Sequence, residues 1–221
     1  KTGADLSGYN TGSLTSYFLV ANFIGSVVPT YMTIESLGSE IRTGVLSNFV
    51  LKPLYFPIYK MFRTLGERFV RMNLSLLLIL LISVFLSRVL LLSSSLFIVM
   101  AFVMSFMLAI ILAYWVFFIF SIASFWLVKA QGYAAILEII SGFIGGQVIP
   151  IVFLPLEIQN LNNILPFKYI YSFPTQIFLA RVDNGQIILG VLAQILWILG
   201  CILLSRFLWK IGLVKYESVG S

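Results

Sequence analysis

The sequence contains no histidine, and its single cysteine, Cys201, lies within an apolar run. One chain of this composition has neither the second thiol of a disulfide nor the imidazole and thiolate set of a usual zinc site. Charge is also scarce, because only 10% of the 221 residues are Asp, Glu, Lys or Arg. An enzyme needs a convergent acid, base or metal constellation, so the sequence disfavours an enzyme and predicts no catalytic and no metal-ligating residue.

Glu138 is the one carboxylate placed inside an apolar run and away from its ends. A carboxylate embedded in a membrane is a functional candidate by default. Glu138 also follows Gly132 by about 9 Å of helical rise, which is close enough to reach the inner interface. Both interpretations stay open from the sequence.

Apolar residues dominate what is present. The chain is 60% hydrophobic with a mean hydropathy of +1.05, and several windows exceed the roughly 18 apolar residues that cross a bilayer. The predicted class is an all-α polytopic membrane protein. The net charge of +6 does not indicate nucleic-acid binding, since the cations cluster at the ends of apolar segments, as membrane orientation requires.

The alternation of apolar runs and polar connections predicts five crossings, with cations marking the cytoplasmic side. The predicted spans are residues 14–34, 69–87, 96–128, 132–153 and 187–208. The predicted connections are an external lead-in at 1–13, a cytoplasmic coupling region at 36–68, an external re-entrant segment at 155–186 and a cytoplasmic tail at 209–221. Pro29 is expected to kink the first span. Five crossings that begin outside and end inside fit a six-helix protein whose first helix precedes this sequence.

A basic island covers residues 39–71 and holds six of the fourteen cationic residues. Prolines at 53 and 57 predict a bend between two short amphipathic helices that lie on the cytoplasmic surface. The second of these helices is expected to begin at Pro57 and to end at Gly66. The pair either holds anionic lipid headgroups or docks a cytoplasmic partner, and periodicity alone does not separate the two.

The fourth predicted span carries a small-xxx-small pattern at Gly142, Gly145 and Gly146, which lets another helix approach closely. We expect this helix to contact a second copy or a paralogue. Directly after the glycines, the sequence predicts an interrupted helix at a substrate path or outer gate, formed by Gln147, Val148, Ile149, Pro150 and Phe153. The alternative is that these prolines only end a helix at the outer interface.

Several stretches together resemble a known family. They are EIRTGVL at 40–46 with LKPL at 51–54, SGF through VIP at 141–150 with FLP at 153–155, LPF at 165–167 with FP at 173–174, and KYESVG at 215–220. The chain resembles the membrane subunits of type-2 ABC exporters, in particular a bacterial branch that runs as paired, non-identical permeases.

The resemblance implies that residues 39–50 form a coupling helix seated in a groove of an ATPase. The implied contact residues are Ser39, Glu40, Ile41, Arg42, Thr43, Gly44, Val45 and Leu46. It also implies that residues 155–186 form an extracellular re-entrant hairpin. The expected partners are two cytoplasmic ATPase subunits that bind ATP and Mg, a second permease and membrane lipids, while this chain binds no cofactor itself.

The sequence therefore predicts the permease subunit of an ATP-driven exporter in the bacterial inner membrane, with a cytoplasmic C-terminus. An aromatic and aliphatic interior favours an amphipathic or hydrophobic substrate, such as a lipid, a peptide, a drug or an antibiotic. The alternative is a non-transporting anchor or sensor that recruits a cytoplasmic partner through the basic island.

Overall fold

The structure is a computed structural model that describes Tyr9 and residues 11–50, 54–85, 95–127 and 130–220. Over these ranges the chain is helical and contains no β-strand, which confirms the predicted all-α class. The helices are α1 Thr11–Val27, α2 Tyr31–Arg42, α3 Ser47–Val50, α4 Phe56–Phe85, α5 Leu96–Ile122, α6 Ala130–Ile144, α7 Leu156–Ile164, α8 Phe167–Ile170, α9 Ser172–Phe178 and α10 Asn184–Gly220. Short 3-10 turns at Ala123–Phe125 and Ile151–Phe153 complete them.

Helix α5 lies at the centre and packs against α2, α8, α9 and α10. Its residues carry no charge, and Tyr114, Phe117 and Phe118 are fully buried. Phe118 lies 5.7 Å from the ring of Trp209 on α10, which stacks at 5.2 Å on Phe56 at the start of α4. This aromatic stack joins three helices at one end of the molecule, where the large rings bury much apolar area.

Two helices in the described ranges, Leu96–Phe125 and Asn184–Tyr216, are long and apolar enough to cross a bilayer. The single long helix predicted for residues 96–128 corresponds to α5, which ends at Ile122 and passes into the 3-10 turn Ala123–Phe125. The apolar stretch Gly132–Ile144 is shorter than a full crossing. The five-crossing layout remains a prediction.

The predicted first span, residues 14–34, is two helices rather than one kinked helix. Helix α1 ends at Val27 and α2 begins at Tyr31. Pro29 has no N–H to donate and its ring crowds the preceding turn, so the helical hydrogen-bond pattern of α1 ends before it. Thr30, buried at the break, accepts a 3.5 Å hydrogen bond from Arg68 on α4 through its side-chain oxygen.

The expectation that a surface helix ends at Gly66 is wrong, because α4 runs without interruption from Phe56 to Phe85. Glycine disfavours a helix but does not break it unless the chain turns into the left-handed region. Arg63 and Glu67 form an ion pair of 3.3 Å across this turn, at the i, i+4 spacing that supports a helix. The predicted surface helix and the predicted second span are therefore parts of one continuous helix, α4.

Replacing Gly66 with alanine is expected to raise the free energy of unfolding by about 0.5–1 kcal/mol, because alanine has the higher helix propensity and nothing lies within 4 Å of the added methyl group. Gly44→Ala is the matched control. It also meets nothing within 4 Å, but its φ is +73°, so it should lose about 1 kcal/mol. Denaturant unfolding of the purified protein measures both, and shifts of the same sign would contradict the assignment.

Two further boundaries differ from the sequence prediction. Gln131 and Gly132 lie inside α6 and form no turn. The predicted tail at 209–221 continues α10 as one helix to Gly220. The predicted re-entrant stretch does hold the short helices α7, α8 and α9, while its depth in the membrane stays a prediction. The expected bend at Lys52–Pro53 and the connection after residue 87 lie outside the described residues.

Candidate ATPase interface and transport path

The predicted coupling helix over residues 39–50 is instead the end of α2, a turn at residues 43–46, and the single helical turn α3. Gly44 adopts a left-handed φ of +73° just past the helix end, where glycine costs least. Its N–H donates to the carbonyl of Ile41 at 3.3 Å, and Leu46 N–H donates to the carbonyl of Glu40 at 3.1 Å. These bonds cap orphan carbonyls of α2 and fix the turn.

The turn divides the eight predicted contact residues into an outer and an inner set. Ser39, Arg42, Thr43, Gly44 and Val45 are exposed, and Val45 keeps 41% of its surface. Leu46 is fully buried and Ile41 packs against the main core. Leu46 is thus a core residue and Ile41 is half-buried against the core, while an ATPase contact at this turn stays a prediction. Val45 is the apolar side chain that this turn offers outward.

Glu40 was also predicted to face an ATPase, and the structure turns it inward. Lys60 Nζ donates to Glu40 Oε1 at 2.5 Å, and Arg63 Nη1 reaches the same oxygen at 3.5 Å. The side chains of Lys60 and Glu40 are only 3% and 12% exposed. Burial lowers the pKa of Lys60 from its ordinary value, and the Glu40 carboxylate opposes that shift. This pair ties α2 to α4 and leaves Glu40 unavailable to a partner.

Helix α3 is fastened to two other helices. The Ser47 and Tyr216 hydroxyls lie 2.8 Å apart, which links α3 to the far end of α10. The Phe49 ring lies 5.6 Å from Phe56 and 4.9 Å from Tyr59 at the start of α4. The exposed turn is therefore held between rigid rods, and displacement of the turn moves both.

Sequence reasoning missed Lys60, Arg63 and Glu67 as one charged cluster around Glu40. Their spacing of i, i+3 and i+7 places all three on one face of α4, which is a signal that the sequence contained. The contact between Glu40 and Lys60 could not be predicted from such spacing, since it joins residues 20 positions apart on different helices.

The predicted gate begins where α6 ends. Gly146 has a φ of +85°, and its carbonyl accepts a 2.5 Å hydrogen bond from the buried Tyr17 hydroxyl on α1. The Gln147 side chain lies between Gly25 on α1 and Gly142 on α6, so tightly that a methyl group at Gly25 would overlap its amide. The segment that follows α6 is thus held against α1 by the Tyr17 hydrogen bond and by the packing of Gln147.

The remaining gate residues are not brought together as one apolar plug. Val148 is 55% exposed, Ile149 is half-buried and Pro150 is buried. Phe153 packs in a separate cluster, with its ring 5.7 Å from Tyr9. A role of this segment in gating stays a prediction.

Glycines 142, 145 and 146 are buried, and the close approach they permit is made within this chain. A methyl group on Gly145 would lie 2.6 Å from the Tyr171 ring and 2.8 Å from the Phe167 carbonyl of α8. One on Gly146 would lie 2.9 Å from the Tyr17 hydroxyl. Gly145 and Gly146 are thus covered within this chain, and Gly142 meets Gln147 and Val148 of its own segment. A permease contact at these glycines stays a prediction.

Glu138 lies on α6 with intermediate exposure, and its backbone carbonyl accepts a hydrogen bond of 2.9 Å from Ser141 Oγ. This contact does not involve the carboxylate. The two interpretations of Glu138 therefore remain open.

The fold and its sites define a helical membrane component with an exposed turn between two rigid rods. A sequence profile described as "ABC-2 family transporter protein" matches residues 1–220, so the chain belongs to this family of type-2 ABC permeases. Among curated proteins and among solved structures, no match was found.

Proposed function

We propose that the chain is the permease subunit of an ATP-driven exporter in the bacterial inner membrane, with its C-terminus in the cytoplasm. The family match over residues 1–220 is the observation that carries this proposal. The partners are two cytoplasmic ATPase subunits, which hold the ATP and Mg, and a second permease, identical or paralogous. Lys210 and Lys215 near the end of α10 support the orientation, since cations mark the cytoplasmic side.

The turn from Arg42 to Val45 is the proposed coupling contact. It offers a guanidinium and an apolar side chain to solvent within four residues, and arginine is enriched at the energetic centre of interfaces. Lys60 and Tyr216, on α4 and α10, hold the residues on either side of the turn. Movement of an ATPase against the turn would therefore reach the long helices without passing through a flexible loop.

The proposed cargo is amphipathic or hydrophobic, and the proposed path runs beside the end of α6. The buried surface of α5 is aromatic and aliphatic, which suits such a solute better than a highly charged one. Helix α6 ends short of a full crossing, and the backbone of residues 145–150 continues outside regular structure. Irregular backbone at membrane depth is tolerated where it is buried in protein or lines a cavity.

Arg42→Glu is expected to uncouple hydrolysis from transport in vesicles reconstituted with the cognate ATPase. Charge reversal at a central contact costs about 2 kcal/mol, so substrate moved per ATP hydrolysed should fall by about tenfold or more. Membrane insertion should be unchanged, because Arg42 is exposed. Parallel assays of substrate uptake and phosphate release give the ratio directly.

Lys210→Glu is the matched control, since it makes the same change in net charge on the exposed side of α10. It should leave the ratio intact. Equal ratios for Arg42→Glu and wild type would refute the coupling contact. Co-purification of an ATPase whose rate ignores every candidate substrate would instead favour a non-transporting anchor.

A further inference from the structure

A cavity of about 470 Å³ opens between α7, α8, α9 and the first turns of α10. The expected depth of this cavity in the membrane is inferred from α10. Large apolar side chains are exposed along this helix from Ile188 to Val214. The charge-free part of this stretch, residues 188–205, has a length of about 27 Å by helical rise. This matches the hydrocarbon thickness of a bilayer. Gln186 and Leu189 line the cavity, so it lies at the edge of that layer, where lipid headgroups begin.

Lys168 is the one cation that lines the cavity among the described residues, and no carboxylate lines it there. Its ammonium donates to Asn163 Oδ1 at 2.8 Å and lies 4.9 Å from the centre of the Tyr169 ring. These neutral groups orient the ammonium but do not neutralise it. Burial lowers the pKa of Lys168 from its ordinary value, and an anion bound beside it would reverse that shift.

Other polar side chains of the lining are neutral hydrogen-bonding groups. Gln159 donates to the Leu154 carbonyl at 2.7 Å, and Gln176 donates to Ser172 Oγ at 3.0 Å. These bonds fix the two amides at the wall of the cavity. A positive charge surrounded by fixed neutral dipoles is an environment for a compact anion.

The rim on the membrane side is apolar. Val152 and Leu189 line the cavity and are exposed, and Leu156 and Ile164 project from α7 with 71% of their surface uncovered. A ligand that contacts both the cationic cavity and the apolar rim has an anionic head and an apolar tail. A free inorganic anion would use the cavity but leave this rim uncovered.

We infer that this cavity binds the phosphate headgroup of an anionic phospholipid, with Lys168 pairing the phosphate and the acyl chains lying over Val152 and Leu189. The inference goes beyond the proposed export function and does not depend on it. A lysine ammonium is a suitable phosphate partner, and the acyl chains of a phospholipid can cover the apolar rim beside it.

Native mass spectrometry of the detergent-solubilised protein tests the site with three probes: dioctanoyl phosphatidylglycerol, dioctanoyl phosphatidylcholine and inorganic phosphate. Phosphatidylglycerol should bind at least about tenfold more tightly than either other probe. Lys168→Gln should weaken its binding by about tenfold, since one charge-assisted hydrogen bond is lost. Lys168→Arg should retain most of it.

Lys210→Gln is the control, because it removes a lysine from α10 outside the cavity and should leave binding unchanged. Equal binding of phosphatidylcholine would overturn the requirement for an anionic head. Equal binding of inorganic phosphate would reassign the cavity to a free anion. Unchanged phosphatidylglycerol binding in a folded Lys168→Gln protein, checked by its thermal unfolding without lipid, would reject the site.

Discussion

Gly145→Ala is expected to destabilise the protein by about 3 kcal/mol, at the upper end of the cost of overpacking. The added methyl group would lie 2.6 Å from both the Ser141 carbonyl and the Tyr171 ring, and 2.8 Å from the Phe167 carbonyl. The Ser141 carbonyl belongs to α6 and the Phe167 carbonyl to α8, so relief requires the end of α6 to distort as well as to move away from α8. Denaturant unfolding in detergent measures the loss.

Gly200→Ala on α10 is the control for Gly145→Ala. It makes the same substitution inside a helix and meets nothing within 4 Å. It should raise stability by up to about 1 kcal/mol through helix propensity. If Gly145→Ala were as stable as Gly200→Ala, the packing of α6 against α8 described above would be wrong.

Lys60→Met is expected to cost about 3–5 kcal/mol, because it leaves the Glu40 carboxylate buried without its close cation. Glu40→Gln should cost a similar amount by stranding the ammonium, whose side chain is 3% exposed. The double variant should recover much of the loss, since a buried pair replaced by neutral groups is often tolerated. Unfolding of the four proteins forms a double-mutant cycle.

Arg63→Met separates burial from charge in this cluster. Arg63 contacts the same Glu40 oxygen but is 49% exposed, and ion pairs of this kind contribute about 0–1 kcal/mol. The loss of unfolding free energy on Arg63→Met should therefore be several times smaller than the loss on Lys60→Met. Equal losses, or strictly additive effects of Lys60→Met and Glu40→Gln, would show that the pair is not buried and coupled as described.

Periodicity and composition predicted the elements whose cause is local. The long helix α5 follows from its uncharged apolar run, and the end of α6 follows from the paired glycines before Pro150. At Pro29 the sequence predicted only a kink, whereas the structure has a complete break between α1 and α2. Gly66 was over-interpreted, because a glycine stops a helix only when the backbone turns left-handed, as it does at Gly44.

Contacts between distant residues were not predictable in the same way. Small residues at 142, 145 and 146 indicated a close approach, yet nothing in the pattern says whether the approaching surface belongs to the same chain. Tyr17 and Tyr171 fill that space here. Glu40 was likewise assigned to a partner because the family resemblance implies a coupling helix over residues 39–50, whereas Lys60 covers it from α4.

Helix α10 is 37 residues long, or about 55 Å from end to end. One end contacts Ser47 through Tyr216, and the other holds the Phe173 ring against Gly190 beside the cavity. A rod of this length is a lever: a tilt of about 5° about one end displaces the other by about 5 Å, the rise of one helical turn. Small rotations at the exposed turn of residues 43–46 would thus be enlarged at the opposite end of α10.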